Sequence, residues 1–268
     1  MDEFKLTEDN MKGWGLHKRA DKDVLVYSMG CIDEGHGPAL QRDNDCLVAK
    51  RTAVQASETL GVQYKGHLPF VSDRVGEIAK DWCPAWQSMD EVLEGIIEFV
   101  RYDLSKWRKP VTHVAIVSGH GGNNFLKDEE AKLKEKIGVP VYYVLPFADC
   151  ETQHENYGKV FVEHANSGEH SVAAYMRLLD VKWLERINQE ASRDPEKVLR
   201  DYKPLCGLGG YSLLGGERYK ILRKYGLHEV AEQFLEEKHI LGDAMVGEDL
   251  FNQNLENTIT QIRDFSGI

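Results

Sequence analysis

Two short glycine-rich segments carry side chains that could bind a metal ion. Glu34, His36 and Asp45 lie close together in the first, and His120 lies in the second, within Gly119-His120-Gly121-Gly122. Carboxylate oxygens and imidazole nitrogens are ligands that zinc, manganese and ferrous iron accept. One histidine in such a turn is ordinary, but two turns with this chemistry indicate a metal site rather than two structural turns.

A third polar segment adds candidates for ligation and for acid–base chemistry. His164 and Glu169 flank a turn of small residues that leads into a helix predicted over residues 171–179. Glu169 suits a metal ligand, a catalytic group or a cap on the free amides of that helix. His164 suits a catalytic proton donor to the leaving group or a support for a metal ligand. His170 is predicted to face solvent.

The first two polar segments follow apolar runs that are typical of buried strands. Strands are predicted over residues 23–29, 64–71, 112–118 and 139–147, and helices over residues 44–60, 89–106 and 126–137. This alternation predicts an α/β fold with a mostly parallel sheet and helices on both faces. Such sheets bind ligands beyond the carboxyl ends of their strands, which is where the two segments lie.

Composition excludes several classes of function. The 268 residues are 42% hydrophobic, which suffices for one large domain over residues 1–268. A net charge of −11 argues against nucleic acid and membranes as partners and favours a small-molecule substrate. No apolar run approaches ~18 residues, and residues 1–5 lack a signal-peptide pattern. Scattered cysteines without a CxxC pair fit reduced thiols, so we expect a cytoplasmic protein.

The later part of the chain offers fewer chemical signals. Residues 206–216, CGLGGYSLLGG, form a glycine-rich segment that is predicted to be either a flexible surface connection or a lid over a cleft. Residues 217–268 are predicted to be mostly helical. Trp82 is expected either to pack in the core or to cover a small ring, and Asp73 and Arg74 are expected to extend the wall of the site.

The three polar segments resemble the motifs of the creatininase family of metal-dependent hydrolases. The family's first motif is similar to residues 34–45, its GHGGN motif to residues 119–123 and its HAGxxE segment to residues 164–169. Creatininase itself has a glutamate where this chain has Gly122. The resemblance implies a three-layer α/β/α fold with a mostly parallel central sheet, and a homo-oligomer that is often a hexamer.

The resemblance also implies one or two divalent ions per chain. Asp45 would bridge the two ions. Glu34 and His120 would complete one site, and His36 would belong to the other. Glu169 is the candidate for the remaining ligand. Zinc is the expected metal, with manganese and iron as alternatives, because the same ligands suit all three.

The implied reaction is hydrolysis of a small polar cyclic substrate. Two divalent cations lower the pKa of a water molecule and polarise a carbonyl. Arg42 and Gln41 stand beside the predicted ligands and offer donors that suit a hydroxyl-rich or carboxylate-bearing molecule, and Asn123 is a further substrate-binding candidate.

With these features the chain looks most similar to the family members of inositol catabolism, and this resemblance implies ring-opening hydrolysis of an inositol diketone, 3-dehydro-scyllo-inosose, to a keto-gluconate. One alternative is a formamide deformylase of archaeal flavin and deazaflavin synthesis. Another is a cyclic-amide hydrolase of the creatinine type. A non-catalytic metal-binding subunit is an alternative of a different class. Whether a C–N or a C–C bond is cleaved stays open at the level of sequence.

Overall fold

The chain builds a parallel sheet between two layers of helices. The computed structural model describes residues 23–213 and 216–268. The strands are β1 (Asp23–Met29), β2 (Gln63–Leu68), β3 (Val111–Ser118), β4 (Val141–Val144), β5 (Glu151–His154) and β6 (Gly158–Phe161). The helices are α1 (Asn44–Leu60), α2 (Met89–Lys106), α3 (Glu130–Ile137), α4 (Ser167–Tyr175), α5 (Val181–Ala191), α6 (Pro195–Asp201), α7 (Leu205–Leu213), α8 (Lys220–Lys224), α9 (Leu227–Glu237) and α10 (Ala244–Ser266). Short 3-10 helices cover Gly76–Asp81, Gly121–Lys127 and Glu217–Tyr219.

The central sheet has the strand order β2-β1-β3-β4, and each neighbouring pair is parallel. Alternate residues of β1 enter two different cores. Leu25 and Tyr27 pack in the core that α2 and α3 cover. Val24 and Val26 pack in the core that α1 and α10 cover. Burial on both faces explains why the strands are almost continuously apolar, and it confirms the predicted α/β class.

Local signals fix the helix ends that the sequence predicted. The α1 helix spans the predicted residues and ends at Gly61, which has a left-handed φ of 66°. The α2 helix also spans the predicted residues, because Ser88 and Glu91 form a reciprocal capping box. By contrast, α4 begins earlier than predicted, since the Asn166 side chain accepts a hydrogen bond from the Glu169 amide.

The glycine-rich segment is packed inside the protein over residues 206–212, so its prediction as a flexible surface connection is wrong there. Cys206, Gly207 and Leu208 have left-handed φ values of 48°, 63° and 60° within α7, and the helix is buried as far as Ser212. A Cβ at Gly210 would lie 2.0 Å from Leu199 O, so this close approach requires glycine. Residues 214 and 215 of the predicted segment lie outside the described residues.

Within residues 23–213 and 216–268, no helix is long and apolar enough to span a membrane. Residues 1–5, for which the sequence predicts no signal peptide, lie outside the described part of the chain. The cytoplasmic location and the domain bounds 1–268 therefore stay predictions.

Candidate metal centre

Adjacent strands bring the first two polar segments together. The strands β1 and β3 are hydrogen-bonded neighbours, so the turns that follow them meet at one edge of the sheet. A Cβ would lie 2.7 Å from Asp45 O at Gly30 and 2.3 Å from the same atom at Gly119. Each strand is therefore followed directly by a glycine, which lets the first turn of α1 approach closely. This approach places Asp45 between the two turns.

Glu34, Asp45 and His120 form the first group of candidate ligands, called here the His120 cluster. His120 Nδ1 lies 2.9 Å from Glu34 Oε2 and 2.9 Å from Asp45 Oδ2. His120 Nε2 lies 3.1 Å from Ser72 O. A carbonyl oxygen only accepts, so Nε2 carries the hydrogen and Nδ1 presents a lone pair to the two carboxylates. All three ligand side chains are buried.

His36, Asp45 and Glu169 form the second group, called the His36 cluster. His36 Nε2 lies 3.2 Å from Asp45 Oδ1 and 3.4 Å from Glu169 Oε1. The other ring nitrogen, Nδ1, lies 3.2 Å from the carbonyl oxygen of Glu34 and donates to it. Each histidine therefore keeps a hydrogen on the nitrogen that faces a backbone carbonyl and leaves its other nitrogen to the carboxylates, which is the nitrogen a metal ion would bind once its proton is lost.

Two hydrogen bonds orient Glu169. Its Oε1 accepts from Asn44 Nδ2 at 2.8 Å, and its Oε2 accepts from the backbone N–H of Ala165. Asn166, rather than Glu169, provides the side-chain cap of α4. The Glu169 carboxylate is therefore held against His36 from two sides. Sequence reasoning missed Asn44, although its place directly before Asp45 was a signal.

The two clusters share one carboxylate and fit a pair of divalent cations. Asp45 directs Oδ1 to His36 and Oδ2 to His120. In each cluster the candidate ligand atoms lie within 4.8 Å of one another. Buried carboxylates and imidazole nitrogens that converge in this way favour a cation between them, and the nitrogen and oxygen set suits zinc, manganese or iron. The structure thus brings together all five side chains that were predicted as metal ligands.

Burial and charge pull the pKa values of these groups in opposite directions. Burial lowers the pKa of His36, but the Glu169 and Asp45 carboxylates outweigh it and raise that pKa to about 10. Burial raises the pKa of Glu169 to about 7. Burial also raises the pKa of Glu34. Without a cation, protons are thus drawn to the nitrogens and oxygens that face one another, where a metal would replace them.

His164 lies between the two clusters. Its ring stacks on His36 with 4.5 Å between centroids, and its Nδ1 lies 3.5 Å from Glu34 Oε1. Its Nε2 donates to Gly35 O at 3.0 Å. Burial, together with the charge on His36, lowers the pKa of His164 to about 3. Nδ1 is therefore unprotonated at neutral pH, where its lone pair suits a metal ligand, and His164 can act as the predicted proton donor only after it has accepted a proton.

A cavity of about 300 Å³ opens onto the clusters. Its lining includes Glu34, Asp45, His120, His164 and Glu169 from the centre and Asp73, Arg74, Trp82, Asn124, Leu208 and Tyr225 from the walls. Asp73 and Arg74 thus extend the wall, as the sequence predicted. Trp82 is buried and packs on Tyr211, with ring centroids 5.4 Å apart, so it serves the core as well as the cavity.

The predicted substrate-binding residues do not line this cavity. Gln41 and Arg42 are exposed, and Arg42 pairs with Asp33 at the surface. Asn123 is fully buried, and its Oδ1 accepts from Ser72 N at 2.9 Å. Its neighbour Asn124 lines the cavity instead. These residues were predicted to lie in the site because they are close to the ligands in the sequence. The turns instead direct Gln41 and Arg42 to the surface and Asn123 into the interior.

The structure also corrects the prediction for His170 and explains why position 122 is a glycine. The prediction that His170 faces solvent is wrong, because its side chain is fully buried and its Nδ1 lies 2.9 Å from Asn166 O. Gly122 stands where creatininase has a glutamate. A Cβ there would lie 2.4 Å from His120 Nε2 and 2.5 Å from Ser72 O. Glycine therefore preserves the bond that orients His120, and Glu169 supplies a carboxylate from α4.

Comparison with known proteins gives relatives of two kinds. No family model matches the chain. A 2-amino-5-formylamino-6-ribosylaminopyrimidin-4(3H)-one 5'-monophosphate deformylase from Methanobrevibacter smithii is 24% identical over 262 residues, which cover 98% of this chain and 97% of the relative. A deformylase of the same name from Methanobrevibacter ruminantium is 25% identical over 185 residues, which cover 69% of this chain and 70% of the relative.

The solved structures show the shared fold. A structure described as creatininase with manganese has a TM-score of 0.57 at 15% identity and covers 98% of each chain. A tryptophan mutant of creatininase has a TM-score of 0.57 at 16% identity and covers 97% of this chain and 96% of the other. These names agree with the predicted hydrolase class and give no support to the inositol diketone. The motifs and these comparisons together confirm the predicted resemblance, and the chain has the creatininase-like fold.

Proposed function

We propose that this protein is a metal-dependent hydrolase that cleaves the C–N bond of a formamide. The observation that carries the proposal is the Asp45 carboxylate, which faces His36 with one oxygen and His120 with the other at the edge of a cavity. A shared carboxylate of this kind is typical of two-metal hydrolytic sites. A formamide substrate is one of the alternatives that the sequence leaves open, and the names of the relatives favour it over the inositol diketone.

The proposed cofactor is one or two divalent ions per chain. Structures of creatininase are described as manganese and as zinc–zinc forms, which supports these two metals. Glu34 and His120 would hold one ion and His36 and Glu169 the other, with Asp45 between them. When bound, such ions lower the pKa of a water molecule and polarise the carbonyl of an amide. The homo-oligomeric state stays a proposal that light scattering tests.

The remaining groups orient the reactants and move a proton. His164 Nδ1 carries a lone pair at the cavity wall, and the Nε2 bond to Gly35 O fixes the ring. We infer that Nδ1 accepts a proton from the attacking water and returns it to the leaving amine. Trp82 and Leu208 form apolar parts of the wall and exclude bulk water from one side.

The choice of a formamide over a cyclic amide rests on three observations. The archaeal relatives named as deformylases align over as much as 98% of the chain. In addition, Gly122 replaces the glutamate of creatininase and has no room for a side chain beside His120. The cavity volume of about 300 Å³ also suits a substrate larger than a single small ring.

The test combines metal analysis with a formate assay. Protein reconstituted with manganese or zinc is incubated with the formylaminopyrimidine ribonucleotide of the relatives or with creatinine, and formate and creatine are measured. We expect bound metal and release of formate, with no formate from the Asp45→Asn variant. Creatine as the sole product would replace the proposal with a cyclic-amide hydrolase. Bound metal without turnover of either compound would favour a non-catalytic subunit.

A further inference from the structure

One side of the cavity carries positive charge beside a hydroxyl group. Among the described residues, Arg74 is the only lysine or arginine in the lining. The hydroxyl group of Tyr225, which also lines the cavity, donates to Arg74 O at 3.5 Å. One cationic side chain and one hydroxyl group therefore lie at this end of the cavity.

The guanidinium of Arg74 is only weakly engaged with the protein. Its Nη2 lies 3.5 Å from Asp128 Oδ2, and the two side chains are 42% and 81% exposed. An exposed pair at this distance contributes little to stability. The carboxylate of Asp73, which precedes Arg74 in the chain, closes a turn, because its Oδ1 accepts from Val75 N at 3.0 Å. Arg74 is thus available to a ligand.

The same segment that orients a metal ligand also presents this cation. Ser72 O accepts the hydrogen bond that fixes the His120 ring, and Arg74 follows two residues later. Two residues of extended chain span at most about 7 Å. On the neighbouring wall, the Oδ1 of Asn124 accepts from Tyr143 Oη at 3.4 Å, while its Nδ2 has no hydrogen bond to a described residue. Donors therefore lie a short distance from the proposed reacting centre.

We propose that Arg74 binds a phosphate monoester at the end of the substrate remote from the formamide, with help from Asn124. A guanidinium binds phosphate oxygens through two parallel hydrogen bonds. A phosphate offers three oxygens and more charge than a carboxylate, so it can engage several donors in a cavity that also contains acidic groups. This inference rests on the proposed function and makes Arg74 the residue that selects phosphorylated substrates.

The test compares a formylaminopyrimidine ribonucleotide with its dephosphorylated nucleoside. We expect Arg74→Met to lower kcat/KM for the nucleotide by about 10-fold to 100-fold and to leave that for the nucleoside within about twofold. Arg200→Met is the matched control, because Arg200 is 53% exposed, pairs with an acidic residue and does not line the cavity. An equal fall with both substrates, or no fall with either, would overturn the inference.

A binding experiment separates this inference from the proposed reaction. Ribose 5-phosphate is titrated into metal-loaded protein by calorimetry, with wild type, Arg74→Met and Arg200→Met. Binding that is lost only in Arg74→Met supports the phosphate site even if no formate is released in the other assay. Binding that Arg74→Met leaves intact means that phosphate contacts the metals directly, which overturns the site even if formate is released. The absence of any binding also overturns it.

Discussion

The His120 cluster and the His36 cluster share Asp45 but differ in how tightly they are assembled. In the first, His120 Nδ1 lies 2.9 Å from each of two carboxylates. In the second, His36 Nε2 lies 3.2 and 3.4 Å from its two carboxylate partners. In both histidines, the ring nitrogen that faces away from the carboxylates donates to a backbone carbonyl, so the orientation of the rings does not explain the difference between the two clusters.

The difference follows from where the ligands come from. The His120 cluster is built from two turns at neighbouring strand ends and the first turn of α1, which the sheet itself holds together. The His36 cluster needs Glu169, which α4 supplies from a distant part of the chain and which Asn44 orients. We therefore expect two binding steps of unequal affinity, with the His120 cluster filled first.

The largest effect is expected from Asp45→Ala, because Asp45 belongs to both clusters. We predict loss of both ions and of turnover, measured by elemental analysis after gel filtration and by formate release. Asp43→Ala is the control: Asp43 precedes α1 and makes no side-chain cap hydrogen bond. It should keep both ions and nearly full activity. Two ions retained in Asp45→Ala would rule out the bridge and leave two independent sites.

The His164→Ala variant tests whether His164 is a metal ligand in addition to the residues of the two clusters. His164, Glu34 and His36 also form a possible ligand group. If His164 Nδ1 only moves a proton, the variant keeps its metal and kcat falls by about 10²-fold to 10⁴-fold. Metal content and kcat are measured on the same preparation. A loss of metal that parallels the loss of kcat would instead make His164 a ligand.

The sequence placed the first two polar segments at one edge of the sheet, because open α/β sheets bind ligands beyond the carboxyl ends of their strands. The grouping of Glu34, Asp45 and His120 followed from the family resemblance instead. The helix over residues 89–106 was predicted from its apolar spacing, and the structure shows that the Ser88 cap marks the same start.

What the sequence could not predict depends on side-chain direction and on distant contacts. Arg42 stands three residues before Asp45, yet it points to the surface and pairs with Asp33. His170 is buried although it follows a predicted ligand on the same helix. Neither direction follows from spacing, because each depends on backbone dihedrals in a turn or on the packing of one helix against another.

Gly122→Ala should weaken the His120 cluster alone. The new Cβ would lie 2.4 Å from His120 Nε2 and 2.5 Å from Ser72 O, so the bond that orients His120 must break. Loss of such an orienting bond lowers metal affinity by about 10-fold to 100-fold. Gly121→Ala is the matched control, because its Cβ meets no atom within 4 Å. Equal affinities in the two variants, measured by competition with a chelator, would contradict this role of Gly122.

The smallest effect is expected from Asn44→Ala, which acts on the His36 cluster. Removing Asn44 Nδ2 takes one of two donors from Glu169, and the Ala165 amide still holds the other oxygen. We predict that the metal affinity of the weaker binding step falls by about tenfold and that the affinity of the stronger step stays the same. The stronger step, which Gly122→Ala weakens, serves as the internal control. Because both clusters share Asp45, the double variant should deviate from additivity. Strict additivity would mean that the two ions bind independently and that the shared carboxylate does not couple them.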